Sequence, residues 1–96
     1  MYEFRLYVVD ATPSSKKAIA SVNSLLEDEF KEAYSLEVID LFKNPQLAER
    51  ESVFATPTLV KVLPLPSRRI LGDFSDKEKV FAGLEMVNGG QGDKYK

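Results

Sequence analysis

The stretch that decides the fold runs from Phe54 to Asp76 and reads FATPTLVKVLPLPSRRILGDFSD. Leu59 to Leu63 is a strand by its branched apolar residues. Yet the run carries Pro57, Pro64 and Pro66. Proline has no N–H to offer a sheet ladder, so each must stand where none is required. Pro57 precedes the strand, and Pro64-Leu65-Pro66-Ser67 makes a turn. Arg68 to Leu71 is then a short strand, and a connection this brief makes the two antiparallel. Gly72-Asp73 closes the pair. Ser75-Asp76-Lys77-Glu78 reads as a capping box, with Ser75 at the N-cap and Glu78 at N3. Val80, Phe81, Leu84 and Val87 follow at helical spacing, with Gly83 and Glu85 inside that helix.

Toward the amino terminus, Tyr2, Phe4, Leu6 and Val8 alternate with Glu3, Arg5 and Tyr7, the period of a strand. Val9 extends it as a fully buried residue. Thr12 is a good N-cap and Pro13 suits the first helical position. Ala18, Ile19, Val22, Leu25, Leu26 and Phe30 carry a helix to about Ala33. Leu36, Val38, Ile39 and Leu41 read as a strand buried on both faces. This β–α–β unit makes its strands parallel, with a right-handed crossover. Asn44-Pro45 repeats the cap-then-proline device and opens a short helix to about Ser52. The order is β-α-β-α-β-β-α, an α/β thioredoxin-like topology with a mixed sheet. A proline at the place of Pro57 is typically cis in that fold. One domain is expected over residues 1–88, with a flexible tail at 89–96.

Composition closes off most chemistry. The chain has 96 residues, 13 Lys and Arg against 15 Asp and Glu, and no cysteine or histidine. Its isoelectric point near 5.1 leaves no basic excess for nucleic acid. Disulfide exchange, cysteine-zinc sites and imidazole catalysis are excluded. A thioredoxin active site would fall at Asp10–Ser15, but the sequence there is DATPSS. Ser14 and Ser15 have no histidine to act as base and read as cap and first-turn serines. Glu27-Asp28-Glu29 point three ways on a helix and read as a solvated face, not a metal site. No enzyme activity, cofactor or metal is expected. No apolar run reaches 18 residues, and MYEFRLYVVD enters a strand without a signal peptide's pattern. The expected location is the cytoplasm, with no membrane contact.

The blocks LEVIDLFKNPQLAE, ATPTLVKVLPLPSRRILGD and SDKEKVFAGLEM resemble the KaiB family of circadian clock proteins over roughly Leu6 to Val87. LYVVDATPSS is a looser match to that family's LYVAGNTPNS. The resemblance implies binding to the hexameric ATPase KaiC, with KaiA or a histidine kinase as further partner. It also implies two folds: a tetrameric ground state, β-α-β-β-α-α-β, and a monomeric thioredoxin-like form that binds KaiC. The thioredoxin-like form is expected for this chain. Lys17 and Arg68 match basic positions of the family motifs NSVRAL and PVRK, and Lys61 matches that of KVLP. With Arg69 they are the expected partner-binding residues.

The family's long acidic tail is missing, and Glu37 stands where cyanobacterial members commonly carry Lys. An adaptor in stress response or histidine-kinase signalling is therefore the alternative to a clock component. Pro57, Pro64, Pro66, Gly83 and Glu85 are the expected fold-switch residues. Glycine inside a helix costs roughly 0.8–1 kcal/mol. A carboxylate near its C-terminus costs roughly 0.3–1 kcal/mol. Gly83→Ala and Glu85→Arg are thus expected to favour the thioredoxin-like form. Prolines whose isomers differ between the folds would slow their exchange.

Overall fold

Alternation in β1 (Tyr2–Val8) sends Phe4, Leu6 and Val8 to one face of the sheet and Tyr7 to the other, all four buried. The chain then builds α1 (Pro13–Phe30), β2 (Tyr34–Asp40), α2 (Pro45–Arg50), β3 (Thr58–Leu63), β4 (Arg68–Leu71) and α3 (Lys77–Gly83). The computed structural model describes residues 1–9, 12–53 and 55–86. Val87 and the tail expected at 89–96 lie outside them, as do Asp10 and Ala11.

The strands form one sheet in the order β2-β1-β3-β4. β1 and β2 pair in parallel, and β1–β3 and β3–β4 are antiparallel. The elements follow the expected thioredoxin-like order β-α-β-α-β-β-α, with the expected mixed sheet; the β-α-β-β-α-α-β alternative is not the arrangement adopted. On one face, Phe4, Leu6 and Val8 meet Val22 and Leu26 of α1 and Val80 and Phe81 of α3. The Phe30 ring lies 4.5 Å from Tyr2 and 6.0 Å from Phe81, joining the end of α1 to β1 and α3. On the other face a smaller cluster joins Tyr7, Ile39, Val53 and Val60.

Several local expectations are corrected. α1 stops at Phe30, not Ala33, because Lys31 turns to φ 56° and its N–H closes on Glu27 O at 3.0 Å. Val9 is 38% exposed, past the end of β1. β2 is not buried on both faces: it is the outer strand, and Val38 is 42% exposed. Asn44 makes no side-chain cap; its amide donates back to Asp40 O at 3.1 Å. α2 ends at Arg50, short of Ser52.

The N-cap of α3 is Asp76, not Ser75. The Asp73 carboxylate takes the Ser75 N–H at 3.0 Å, which bends the chain one residue too early for Ser75 to cap. Asp76 Oδ1 then accepts from the Glu78 and Lys79 N–H groups. Its negative charge also suits the helix N-terminus. Gly72 precedes this bend because a β-carbon there would collide with the Phe74 ring.

Of Gly83 and Glu85, both expected inside α3, only Gly83 belongs to it. Gly83 is its last residue, and Glu85 is two residues on at φ 56°. Met86 N–H reaches back to Phe81 O and Glu85 N–H to Ala82 O, a Schellman ending. Its left-handed position is filled by glutamate where glycine is usual.

Candidate partner-docking surface

The start of α1 is fixed by hydrogen bonds among Val9, Thr12 and Ser15. Thr12 Oγ1 accepts the Ser15 N–H at 3.0 Å, and the Ser15 hydroxyl donates to Val9 O at 3.0 Å. Ser15 is buried and its hydroxyl is committed to tying α1 to β1. Ser14 stays exposed, beside Lys17, at the end of a groove between α1 and the β4–α3 connection. The groove encloses about 370 Å³, with Ser14, Lys17 and Ser21 on one wall and Pro57 and Phe74 on the other. The Thr56–Pro57 bond is cis, as expected there, and those before Pro64 and Pro66 are also cis. At the rim, bonds from Ser75 hold the Asp73 carboxyl below its ordinary range, helped by the charges of Lys17 and Lys79.

The four cations expected to face a partner do not form one patch. Lys17 is exposed on the groove. Lys61 is only 2% exposed. Its ammonium points at Glu85 O, 3.4 Å away. Burial lowers its pKa from the usual lysine value, opposed by Glu85 and reinforced by Arg68. Arg68 and Arg69 are consecutive on β4, so their side chains leave opposite faces. Arg68 Nε meets the Glu85 carboxylate at 2.8 Å, while Arg69 donates to Ser52 O at 2.7 Å. Three of the four are thus engaged within the chain.

The sequence reading missed the exposed apolar surface. Phe42 is 71% exposed just past β2, and Leu65 is 74% exposed between the two hairpin prolines. The order β2-β1-β3-β4 leaves β2 and β4 as edges. β4 is short and carries two arginines, which discourages strand addition, whereas β2 is seven residues long with one edge open. The signal was Glu37: a charge in mid-strand marks an edge. Glu37 stands in register with Arg5 and pairs with it at 3.6 Å; Glu51 lies 4.0 Å from the same guanidinium.

Among the described residues no group of acidic side chains could hold a metal ion, and no helix is long and apolar enough to cross a membrane. A thioredoxin-like fold in a chain without cysteine cannot perform thiol–disulfide exchange. The chain belongs to the KaiB family: the family model for the KaiB domain matches residues 5–86. It is 54% identical over 88 residues to the circadian clock oscillator protein KaiB of Synechococcus elongatus, covering 92% of this chain and 86% of that protein. The KaiB of Thermosynechococcus vestitus is 55% identical over 86 residues, 90% of this chain and 80% of that one.

Among solved structures, the N-terminal domain of Synechococcus elongatus SasA superposes with a TM-score of 0.71 at 29% identity. That match covers 92% of this chain and 87% of the domain. The thioredoxin Deadhead of Drosophila melanogaster superposes at 0.65 with 21% identity, covering 84% and 75%. That second likeness is one of fold alone.

Proposed function

We propose that this protein binds a KaiC-type hexameric ATPase ring in its thioredoxin-like conformation and thereby modulates clock phosphorylation and output signalling. The observation that carries this reading is a KaiB-family sequence on a fold shared with the SasA N-terminal domain. Residues 1–88 form the working unit, acting in the cytoplasm as a monomer when bound and as a tetramer in the ground-state fold. The fold exchange is centred on the second half, around Pro57, Pro64, Pro66, Gly83 and Glu85. KaiA or a histidine kinase is the further partner. Lys17 contributes the charge that meets the ring, because of the four expected cations it is the one that is exposed and whose side chain makes no hydrogen bond or ion pair to another of the described residues.

The Arg5–Glu37 pair favours a second reading. Glu37 stands where cyanobacterial members commonly carry Lys, and here its charge is paired internally with Arg5. That fits an adaptor in stress response or histidine-kinase signalling without an oscillator role. Sedimentation velocity with a purified KaiC ring separates the two. Comigration at micromolar concentration, weakened about tenfold by Lys17→Glu, supports the clock reading. No comigration under any nucleotide condition overturns it.

A further inference from the structure

The two short helices end alike. Val53 N–H reaches Ala48 O and Ser52 N–H reaches Glu49 O, as Met86 N–H reaches Phe81 O and Glu85 N–H reaches Ala82 O. Both are Schellman endings, and in both the left-handed position is not glycine: Ser52 is at φ 58° and Glu85 at φ 56°. Each of these two residues is held by an arginine of β4. Arg69 bonds the carbonyl of Ser52 at 2.7 Å, and Arg68 bonds the carboxylate of Glu85 at 2.8 Å. The arginines are neighbours on one strand and reach opposite faces of the sheet.

We propose that β4 is a coupling strand. Arg68 and Arg69 clamp the ends of α3 and α2 in conformations that glycine would otherwise supply, so loss of β4 from the sheet frees both helix ends in one step. The physical basis is direct. A left-handed non-glycine residue has a standing tendency to relax. A charge-assisted bond to that same residue opposes it. Because both bonds originate from the first two residues of one four-residue edge strand, both depend on β4 pairing. Neither arginine is then a free partner-binding charge in this conformation. The inference does not depend on which partner the protein has.

Native-state amide exchange of the full chain tests it, read at Val53 and Met86, whose N–H groups close the two endings. Arg69→Met speeds exchange at Val53 about fivefold and leaves Met86 unchanged; Arg68→Met does the reverse, the effect of one exposed charged bond. Arg68→Met has no further effect in a Glu85→Gly background, because the carboxylate is gone. Arg69→Met keeps its full effect in Ser52→Gly, because its acceptor is the backbone. In the unsubstituted protein, rising denaturant brings Val53, Met86 and Gly72, whose N–H bonds Pro57 O, to one common opening event. An arginine variant that leaves its own amide unmoved overturns the proposal. So do separate opening events for Val53 and Met86 while Gly72 stays protected.

Discussion

The two halves of this chain share one core but join their elements differently. Residues 2–40 make a β–α–β unit of long elements, two seven-residue strands and an 18-residue helix. They contain no glycine and one proline, placed at a helix start. Their side chains supply Phe4, Leu6, Val22 and Leu26, the centre of the larger core. Residues 45–86 make elements of four to seven residues joined by turns. There the joints are polar: a buried lysine aimed at a carbonyl, and two arginines on helix ends. Burial fixes the first half, whose conformation any good solvent contrast enforces. The second half shares that core through Leu59, Phe74, Val80, Phe81 and Leu84, and adds polar bonds in partial contact with water, each individually weak.

The largest effect belongs to the first half. Leu26 is fully buried between α1 and the sheet. Leu26→Ala costs about 2–5 kcal/mol, the lost transfer of the side chain plus the cavity left behind. Urea unfolding followed by circular dichroism measures it as a lower midpoint at unchanged slope. Loss of signal from both halves together would show that the second leans on this core. A midpoint within error of the unsubstituted protein would break the comparison at its root.

How much of this was legible beforehand follows the same division. The order of elements along the chain, the helix start at Thr12-Pro13 and the places of the three prolines follow from period and from the missing proline N–H, which are local properties. The boundary errors fell where side chains compete for the same backbone group. Asp73 took the Ser75 N–H and moved the cap to Asp76, and Asp40 took the Asn44 amide. The site was read less well. Lys61, Arg68 and Arg69 are basic in sequence, but which basic residue is spent internally depends on strand alternation and on the path of distant segments. Arg69 to Ser52 and Arg68 to Glu85 each span 17 residues. No window along the chain contains that information. The open β2 edge was legible from Glu37 and from the topology, and went unread because Val38 and Ile39 suggested two-sided burial.

Lys61 gives an intermediate effect and tests whether a buried charge belongs in the second half at all. A protonated amine at 2% exposure is costly, and its partner is a carbonyl at 3.4 Å rather than a carboxylate. Lys61→Met keeps the length of the side chain and removes the charge. The expected change is neutral to stabilising, on the order of 1 kcal/mol. Its pH dependence has a definite sign. The folded-state pKa is lowered from the usual lysine value by burial. Between that lowered value and the unfolded one, the unfolded chain binds more protons, so stability rises with pH in that window. The difference between unsubstituted and Lys61→Met stability curves therefore shrinks as the medium becomes alkaline. A variant that is markedly less stable than the parent at neutral pH would mean the ammonium is a needed strut.

Glu85 gives the smallest effect and the finest discrimination, because two terms oppose there. Near the end of α3 its charge faces the negative end of the helix dipole, a penalty of roughly 0.3–1 kcal/mol for a carboxylate in the last turn. Against this stands the ion pair with Arg68, about half exposed on both sides and worth about 0–1 kcal/mol. Position decides between them. Glu85 lies past the last helical residue, and its carboxylate is bonded over β4 at 2.8 Å. The dipole term falls off beyond the last turn, while the bonded contact does not. Glu85→Gln is therefore expected to destabilise by about 0.5 kcal/mol at low salt. The loss should fade in 1 M salt, where screening acts over about 3 Å. Thermal unfolding at the two ionic strengths measures both. A stabilised variant at low salt would mean that the helix end is held against its own charge. The second half would then be poised by repulsion at Glu85 and not tied by attraction.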